Sequence, residues 1–339
     1  MSEPPLPATT SPEPGRTVHG GTCAIVGLPN GGKSTLLNRV LGRHLAAVSP
    51  RPQTTRNRII GIHRGRVDGL EPEAFELCFI DTPGIQLGKG ALRRFMRAQA
   101  LGAAGDCDVA LYVVDASDSR ARNPDRLSKP DAADLASAIA GVPLVIALNK
   151  IDRVDKPELL PLMETWGRWG AAAGRDGLEV VPIAALVGDG VERLVTTLVG
   201  MLPVGPAMFP EDMVTDRAEE FLAAELIREQ LYHQLGKELP YASAVVIETF
   251  EERDNGDLAI GACIAVERDS QKAIVIGKGG ARIKQLGIAG RAALGELFRC
   301  TVHLTLFVKV VPDWSNGDAG LRRVGFADLG GGGSGGGRT

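Results

Sequence analysis

Three short stretches of this chain have the residue types and spacing to handle a nucleotide. Gly27-Leu28-Pro29-Asn30-Gly31-Gly32-Lys33-Ser34-Thr35 fits G-x-x-x-x-G-K-[ST], between an apolar run (22–27) and a helical pattern (33–42). In that context glycines let backbone N–H groups curl around phosphate oxygens at a helix N-terminus. Lys33 then reaches the β- and γ-phosphates, and the Ser34 hydroxyl is offered to Mg²⁺. The glycine spacing does not fit a G-x-G-x-x-G fingerprint. Asp81-Thr82-Pro83-Gly84 ends a second apolar run, 75–80. A carboxylate at a strand's carboxyl end is placed to hold Mg²⁺, directly or through water, and Gly84 leaves an N–H for a γ-phosphate. Asn149-Lys150-Ile151-Asp152 ends a third run, 142–149. Asp152 can accept from the N1–H and exocyclic amine of guanine, whereas adenine would leave the carboxylate unpaired. Asn149 can meet the base and brace the loop, and the Lys150 stem can lie over the ring. In this order, each at a strand end, the three predict a GTP site.

A fourth stretch points to other chemistry. Gly277-Lys278-Gly279-Gly280 is a G-x-x-G between two helical patterns, the kind of loop that clamps single-stranded RNA. Its glycines let a phosphate backbone approach closely, and Lys278, Arg282 and Lys284 supply charge. From Arg268 to Arg299 there are seven basic residues and two acidic ones, while 219–229 and 248–254 are rich in Glu. The 339-residue chain carries a net charge of −3 and has a pI of about 6.0, so an RNA surface must be local.

These motifs need elements to hold them. From Thr22 to Leu202, near-continuous apolar runs (22–27, 75–80, 109–114, 142–149, 180–183) alternate with helical patterns (33–42, 91–104, 131–141, 156–172, 190–201). That alternation predicts a doubly wound α/β sheet whose strands are buried on both faces. Ile59–His63 adds an edge strand antiparallel to 75–80. Pro203, Pro206 and Pro210 mark a linker. Beyond it the pattern reads helix (216–236), strands (242–252, 258–267), helices (270–276, 281–298) and strand (301–311), an α+β domain of order αββααβ. The expected organisation is a disordered leader (1–19), a GTPase domain (20–203), a linker (204–211), an RNA-binding domain (212–329) and a flexible Gly-rich tail (330–339). No internal repeat and no second phosphate loop is found. No signal peptide is read in the Pro-rich leader, and no apolar run reaches the roughly 18 residues of a membrane helix. Five cysteines without a C-x-x-C pair fit a reducing cytosol. His44, His63, His233 and His303 show no metal spacing, and Trp166 and Trp169 read as packing residues.

Gly27–Ser34, Asp81–Gly84 and Asn149–Asp152 resemble the first, third and fourth motifs of the translation-factor-related GTPases, and the form PNGGKST resembles their ribosome-assembly branch. The resemblance implies a switch threonine within Pro50–Arg56: Thr55 is taken as a Mg²⁺ ligand, with Thr54 as runner-up. It places the fifth motif at Ala184-Ala185-Leu186, where the Ala185 N–H would meet the guanine oxygen and Ala184 lacks the usual hydroxyl. Gly31 stands where the family commonly has Val. The αββααβ order resembles a type II KH fold. One GTPase domain followed by such a domain, together with the stretches 210–231, 238–248 and 303–314, resembles the Era family, bacterial GTPases of small-subunit assembly, over residues 20–329. The resemblance implies GTP hydrolysis with Mg²⁺ on Ser34, Thr55 and Asp81, and a catalytic set of Lys33, Asn30, Thr55 and Gly84. As partners it implies the 3′ region of small-subunit rRNA and the 30S subunit. It further implies a monomer in the cytoplasm with peripheral contact at the inner membrane. Ile85 stands where many GTPases place a water-orienting Gln, so transition-state charge would be met by a partner's arginine or by K⁺ held by Asn30. Two alternatives remain at this point. A small-molecule phosphotransferase would need a substrate lid and has no use for N-K-x-D. An RNA-binding scaffold that holds GTP without efficient turnover is compatible with Ile85.

Overall fold

The structure, a computed structural model, describes residues 16–49, 54–84, 90–119, 122–124, 139–175, 177–236 and 239–326. The leader up to residue 15, the switch residues Pro50–Gln53, Ile85, most of the helix expected at 131–141 and the Gly-rich tail lie outside the described residues. The chain forms two compact units, one of Met1–Leu87 and Met96–Leu222 and one of Gly88–Phe95 and Ala223–Thr339.

In the first unit the apolar runs become strands: β1 (Thr17–Val26), β3 (Ala74–Asp81), β4 (Val109–Asp115), β5 (Leu144–Asn149) and β6 (Glu179–Pro182). With the edge strand β2 (Ile59–Arg66), the sheet order is β2-β3-β1-β4-β5-β6, with β1 parallel to β3 and β4, and with β4, β5 and β6 parallel in turn. All eight residues of β3 and all six of β5 are buried, which explains their near-continuous apolar text, interrupted within β3 by Glu76. One face packs Ile25, Leu111 and Val145 against α1 (Lys33–Leu41) and α4 (Val191–Val199) through Leu36, Leu37, Leu194 and Leu198. The other packs Ala24, Tyr112 and Ile146 against α2 (Ala91–Gly105) and α3 (Lys156–Ala172) through Ala104, Leu162 and Trp166. Trp166 is 1% exposed and meets Tyr112 and Trp169 ring to ring, a packing role. The edge strand β2 (Ile59–Arg66) pairs antiparallel with the whole of β3 and runs three residues beyond the expected His63.

The segment read as a linker (204–211) is structured. Val204–Pro206 forms β7, antiparallel to the start of β1, and the backbone N–H groups of Met208 and Phe209 donate to Glu76. The next helix, α5 (Glu219–Gln234), therefore starts three residues later than its apolar pattern suggests.

The second unit continues with β8 (Ser243–Glu252), β9 (Leu258–Val266), α6 (Asp269–Ile276), α7 (Ala281–Phe298), β10 (Val302–Val310) and α8 (Asp318–Arg323). The three strands lie in the order β10-β9-β8, with β8 antiparallel and β10 parallel to β9. Their core is built from Leu226, Ile227, Leu231, Ile260, Ile264, Leu286 and Leu294. Helix α8 was not foreseen from the sequence.

Candidate nucleotide and RNA sites

Helix α1 opens at Lys33 with Gly32 as N-cap and no side-chain cap, so its first N–H groups stay available to an anion. Gly32 holds φ 96°, and a Cβ there would collide with Asn149 Nδ2. The glycine is thus what lets the end of β5 close on the phosphate loop. Asn149 is 2% exposed and engaged at both ends of its amide: Nδ2 donates to Gly31 O (2.8 Å), and Oδ1 accepts from Lys150 N (2.8 Å) and Ala185 N (2.9 Å). One side chain ties three of the motifs together. Lys150 Nζ donates to Asn30 O (2.7 Å) and to Asp115 Oδ2 (2.5 Å), which stretches its aliphatic stem from the N-K-x-D loop to the phosphate loop. Burial works against the Asp115 carboxylate, but hydrogen bonds from Lys150 and Ser117 outweigh it and hold its pKa below the ordinary value. Asp152 stands exposed on the turn Ile151–Arg153.

The metal candidates converge. Ser34 Oγ lies 2.7 Å from Thr55 Oγ1 and 2.7 Å from Asp81 Oδ2, and Thr55 Oγ1 lies 3.3 Å from the same carboxylate oxygen. Thr54 instead pairs with Ser49 at 2.7 Å. Asp81 is fully buried, and its Oδ1 has no hydrogen-bond partner. Burial pushes its pKa up to about 6, against the Lys33 charge and the Ser34 and Thr55 hydroxyls, which favour the ionised form. Two hydroxyls and a buried, half-satisfied carboxylate form a hard-oxygen donor set that fits Mg²⁺. Lys33 is 6% exposed and donates to Gly27 O (3.3 Å) and Leu28 O (3.0 Å). Burial lowers its pKa to about 8, partly offset by Asp81. Both groups are buried, and an anion beside Lys33 together with a cation beside Asp81 would favour their charged forms against that burial.

The other predicted residues surround this core. Thr82 Oγ1 donates to Ile25 O at 2.8 Å, while Pro83 is buried and Gly84 packs on Pro29. Leu28 and Pro29 form the half-buried wall of the loop, Asn30 is exposed at φ 63°, and Thr35 is half-buried on α1. At the fifth motif, Ala184 N–H donates to Asp189 O (2.8 Å) and Leu186 is 63% exposed. The Ala185 N–H, expected to be free for guanine, is taken by Asn149 Oδ1, because Asn149 enters this loop from β5; it reaches a base only when Asn149 releases it.

In the second unit, Gly277–Gly280 forms the turn between α6 and α7. Gly280 is the N-cap of α7 at φ 79°, again with no side-chain cap, and a Cβ there would meet nothing within 4 Å. Lys278, Gly279 and Lys284 are exposed. Arg282 is engaged locally, its Nη1 donating to Ile274 O at 2.7 Å across the turn, so it serves the loop's shape as well as its charge. Beside the turn lies a groove of about 460 Å³, lined by Ile283, Lys284, Gly287, Ile288 and Arg291 of α7 and by Leu304 and Leu306 of β10. The sequence reading missed this apolar floor. Its signal is the helical face 283/284/287/288/291, which continues directly from the glycine turn. Asp115 was also missed; it ends β4 in register with Asn149. Among the described residues no His/Cys/Asp/Glu group could hold a metal by itself, the five cysteines are free, and no helix is long and apolar enough to cross a membrane.

Comparison with known proteins agrees with this layout. Residues 22–150 match the family model described as 50S ribosome-binding GTPase, and residues 238–315 match that of the KH domain. The chain is 43% identical over 308 residues to GTPase Era of Geobacter sp. (strain M21), covering 90% of this chain and 97% of that one. It is 44% identical over 310 residues to GTPase Era of Stenotrophomonas maltophilia (strain R551-3), covering 91% and 97%. Among solved structures it is similar to Aquifex aeolicus Era bound to GDP·AlF4⁻, with a TM-score of 0.80 and 35% identity over 91% of this chain and 99% of that one. An Era in complex with MgGDPNP and nucleotides 1506–1542 of 16S ribosomal RNA gives a TM-score of 0.80 at 34% identity, with the same coverage. With a phosphate-loop GTPase unit and a KH unit along nearly the whole length of these relatives, the chain belongs to the Era family of GTPases.

Proposed function

We propose that the protein is an RNA-binding GTPase switch of small-subunit assembly in the cytoplasm, which takes the 3′ region of small-subunit rRNA in its second unit. The observation that carries this reading is the uncapped glycine turn at Gly277–Gly280 opening onto the α7–β10 groove, in a chain whose first unit belongs to a GTPase family. Glycines admit the phosphate backbone, and the apolar floor receives bases splayed out of a stack. In the first unit Ser34 and Thr55 would ligate Mg²⁺, Asp81 would hold it directly or through water, Lys33 would hold the β/γ-phosphate oxygens, and the Gly84 N–H would meet the γ-phosphate. An ion held by these residues would supply positive charge that offsets the negative charge on the phosphates during transfer. Asp152 reads the guanine edge, and the Lys150 stem covers the ring. Asn30, exposed and with its carbonyl anchored by Lys150, would offer its side-chain oxygen to K⁺ beside the phosphates. GTP would order the segments 48–58 and 82–92 and so couple nucleotide state to RNA affinity.

The test is fluorescence anisotropy of a labelled single strand of the 16S 3′ end. Wild-type binding is expected to weaken steeply with salt, with a log–log slope of about −0.7 per phosphate neutralised, and a duplex should compete poorly. The double variant Lys278→Asp/Gly279→Asp should lose RNA binding by about 100-fold or more while keeping GTP-analogue affinity, since a carboxylate there both repels phosphate and blocks its approach. Unchanged RNA affinity in the folded variant would place the RNA site elsewhere.

A further inference from the structure

The buried ion pair Arg64–Glu76 takes no part in either site, yet it is among the most completely bonded features of the first unit. The two side chains are 8% and 0% exposed. A buried pair of this kind is seldom retained for stability alone, because desolvation offsets its attraction. Here the pair grips a particular piece of chain. Arg64 Nε and Nη2 reach Glu76 Oε2 at 2.9 and 2.7 Å. Nη2 also donates to Phe209 O (3.3 Å) and Pro210 O (2.8 Å), and Nη1 donates to Glu211 O (3.1 Å) and Met213 O (2.7 Å). Glu76 Oε1 accepts from Met208 N (2.6 Å) and Phe209 N (3.2 Å).

The grip continues along β2 towards the switch. Ile62 N donates to Val214 O (2.8 Å), Gly61 bridges Thr215, and Ile60 N donates to Asp216 Oδ1 (3.3 Å). Arg217 Nη2 donates to Arg58 O (2.5 Å). Residues 208–217 thus cover the open edge of β2 as a strap. Every anchor lies on 58–64, the strand that leaves Thr55, or on Glu76, five positions before Asp81 on β3. From its last anchor the chain runs straight into α5 and the second unit.

We propose that Arg64 and Glu76 are positioning residues that clamp the strap 208–217 to β2, so that the chain entering the RNA-binding unit moves with the strand that follows the switch threonine. The inference rests on the reading above of a GTP-controlled RNA switch. A linker that only tethers needs no such bonds. A strap fixed at Arg58 and Ile60 shifts when the residues before them rearrange around Mg²⁺ and γ-phosphate, and tension on the strap is returned to the same two positions.

The test uses the full-length protein and measures the affinity of the labelled 16S 3′-end strand with GDP and with a non-hydrolysable GTP analogue. The wild-type ratio is expected to be about 10-fold or more, within the usual range of allosteric coupling. Arg64→Lys keeps a cation for Glu76, but one ammonium cannot span four carbonyls. In this variant the ratio should fall to about 2-fold or less, with GDP affinity and GDP-state RNA affinity within about 2-fold of wild type. Asp216→Ala/Arg217→Ala removes the distal anchors at side chains that are 27% exposed, and gives the same readout if Arg64→Lys fails to fold. A wild-type-like ratio in a folded variant overturns the clamp. A parallel loss of nucleotide affinity makes the pair a structural brace and overturns it as well. A wild-type ratio of one overturns instead the switch reading beneath it.

Discussion

The phosphate loop and the G-x-x-G loop use the same backbone device. Each ends in a glycine of positive φ that serves as the N-cap of a helix, Gly32 at 96° before α1 and Gly280 at 79° before α7, and neither cap has a side-chain hydrogen bond. They differ in their walls. Around Gly32 stand Lys33, Asp81 and Asn149, each nearly or fully buried and bonded to neighbouring motifs. Around Gly280 the space is open and the lysines Lys278 and Lys284 are exposed. Enclosure selects one small ligand by shape and by the cost of unpaired groups. Openness lets a long strand pass, held by its backbone and by its bases on an apolar floor.

The same substitution in both loops separates these designs. Gly32→Ala adds a Cβ where Asn149 Nδ2 stands, so GTP affinity measured by fluorescent-analogue binding should fall by about 100-fold or more, through strain together with loss of the Asn149 brace. Gly280→Ala meets open space and incurs only the left-handed backbone penalty of about 1 kcal/mol, so RNA affinity should fall by about 5-fold. Equal effects in the two loops would break the contrast.

A smaller effect distinguishes them by pH. Asp81, with its pKa near 6, protonates and loses its claim on Mg²⁺ as pH falls through 6, while Lys33, near 8, loses its charge as pH rises through 8. Mg²⁺-GTP affinity should therefore peak between about pH 6 and 8 and fall by about 10-fold per unit below that window. The stability of the nucleotide-free protein runs the other way. Asp81 has a folded pKa above its unfolded value, so its contribution is present below pH 3.8 and is lost as pH rises through about 6. Lys33, lowered from 10.5 to about 8, contributes above pH 10.5 and loses that contribution as pH falls through 8. Thermal melts of the nucleotide-free protein against pH check this sign. RNA binding has no counterpart of the buried carboxylate and should stay flat across the same window.

How much of this was legible follows from where each residue's partners lie. β3 and β5 could be read because burial on both faces leaves near-continuous apolar text, with Glu76 the single charge inside β3. The extra length of β2 could not, because Arg64, Gly65 and Arg66 look like loop residues until Glu76 and residues 208–217 supply the partners of Arg64 and Glu73 that of Arg66. The Pro-rich stretch 203–210 reads as a tether because its hydrogen bonds go to side chains over 130 positions away. The motifs of the nucleotide site are local and were legible residue by residue. Engagement of the Ala185 N–H depends on a side chain 36 positions earlier, and no local pattern announces it. The RNA groove shows only its helical half in sequence; Leu304 and Leu306 join it through the sheet.

The central claim is that an enclosed GTP site and an open RNA clamp on separate units work as one switch. Single-turnover GTP hydrolysis tests it most directly, with and without the 16S 3′-end strand, in matched K⁺ and Na⁺ buffers, for the wild type and for Lys278→Asp/Gly279→Asp. The account predicts faster hydrolysis in K⁺ than in Na⁺ for both proteins, further stimulation by RNA in the wild type, and an unchanged basal rate with no RNA stimulation in the variant. Equal wild-type rates with and without RNA, or stimulation that survives in the variant, would contradict it.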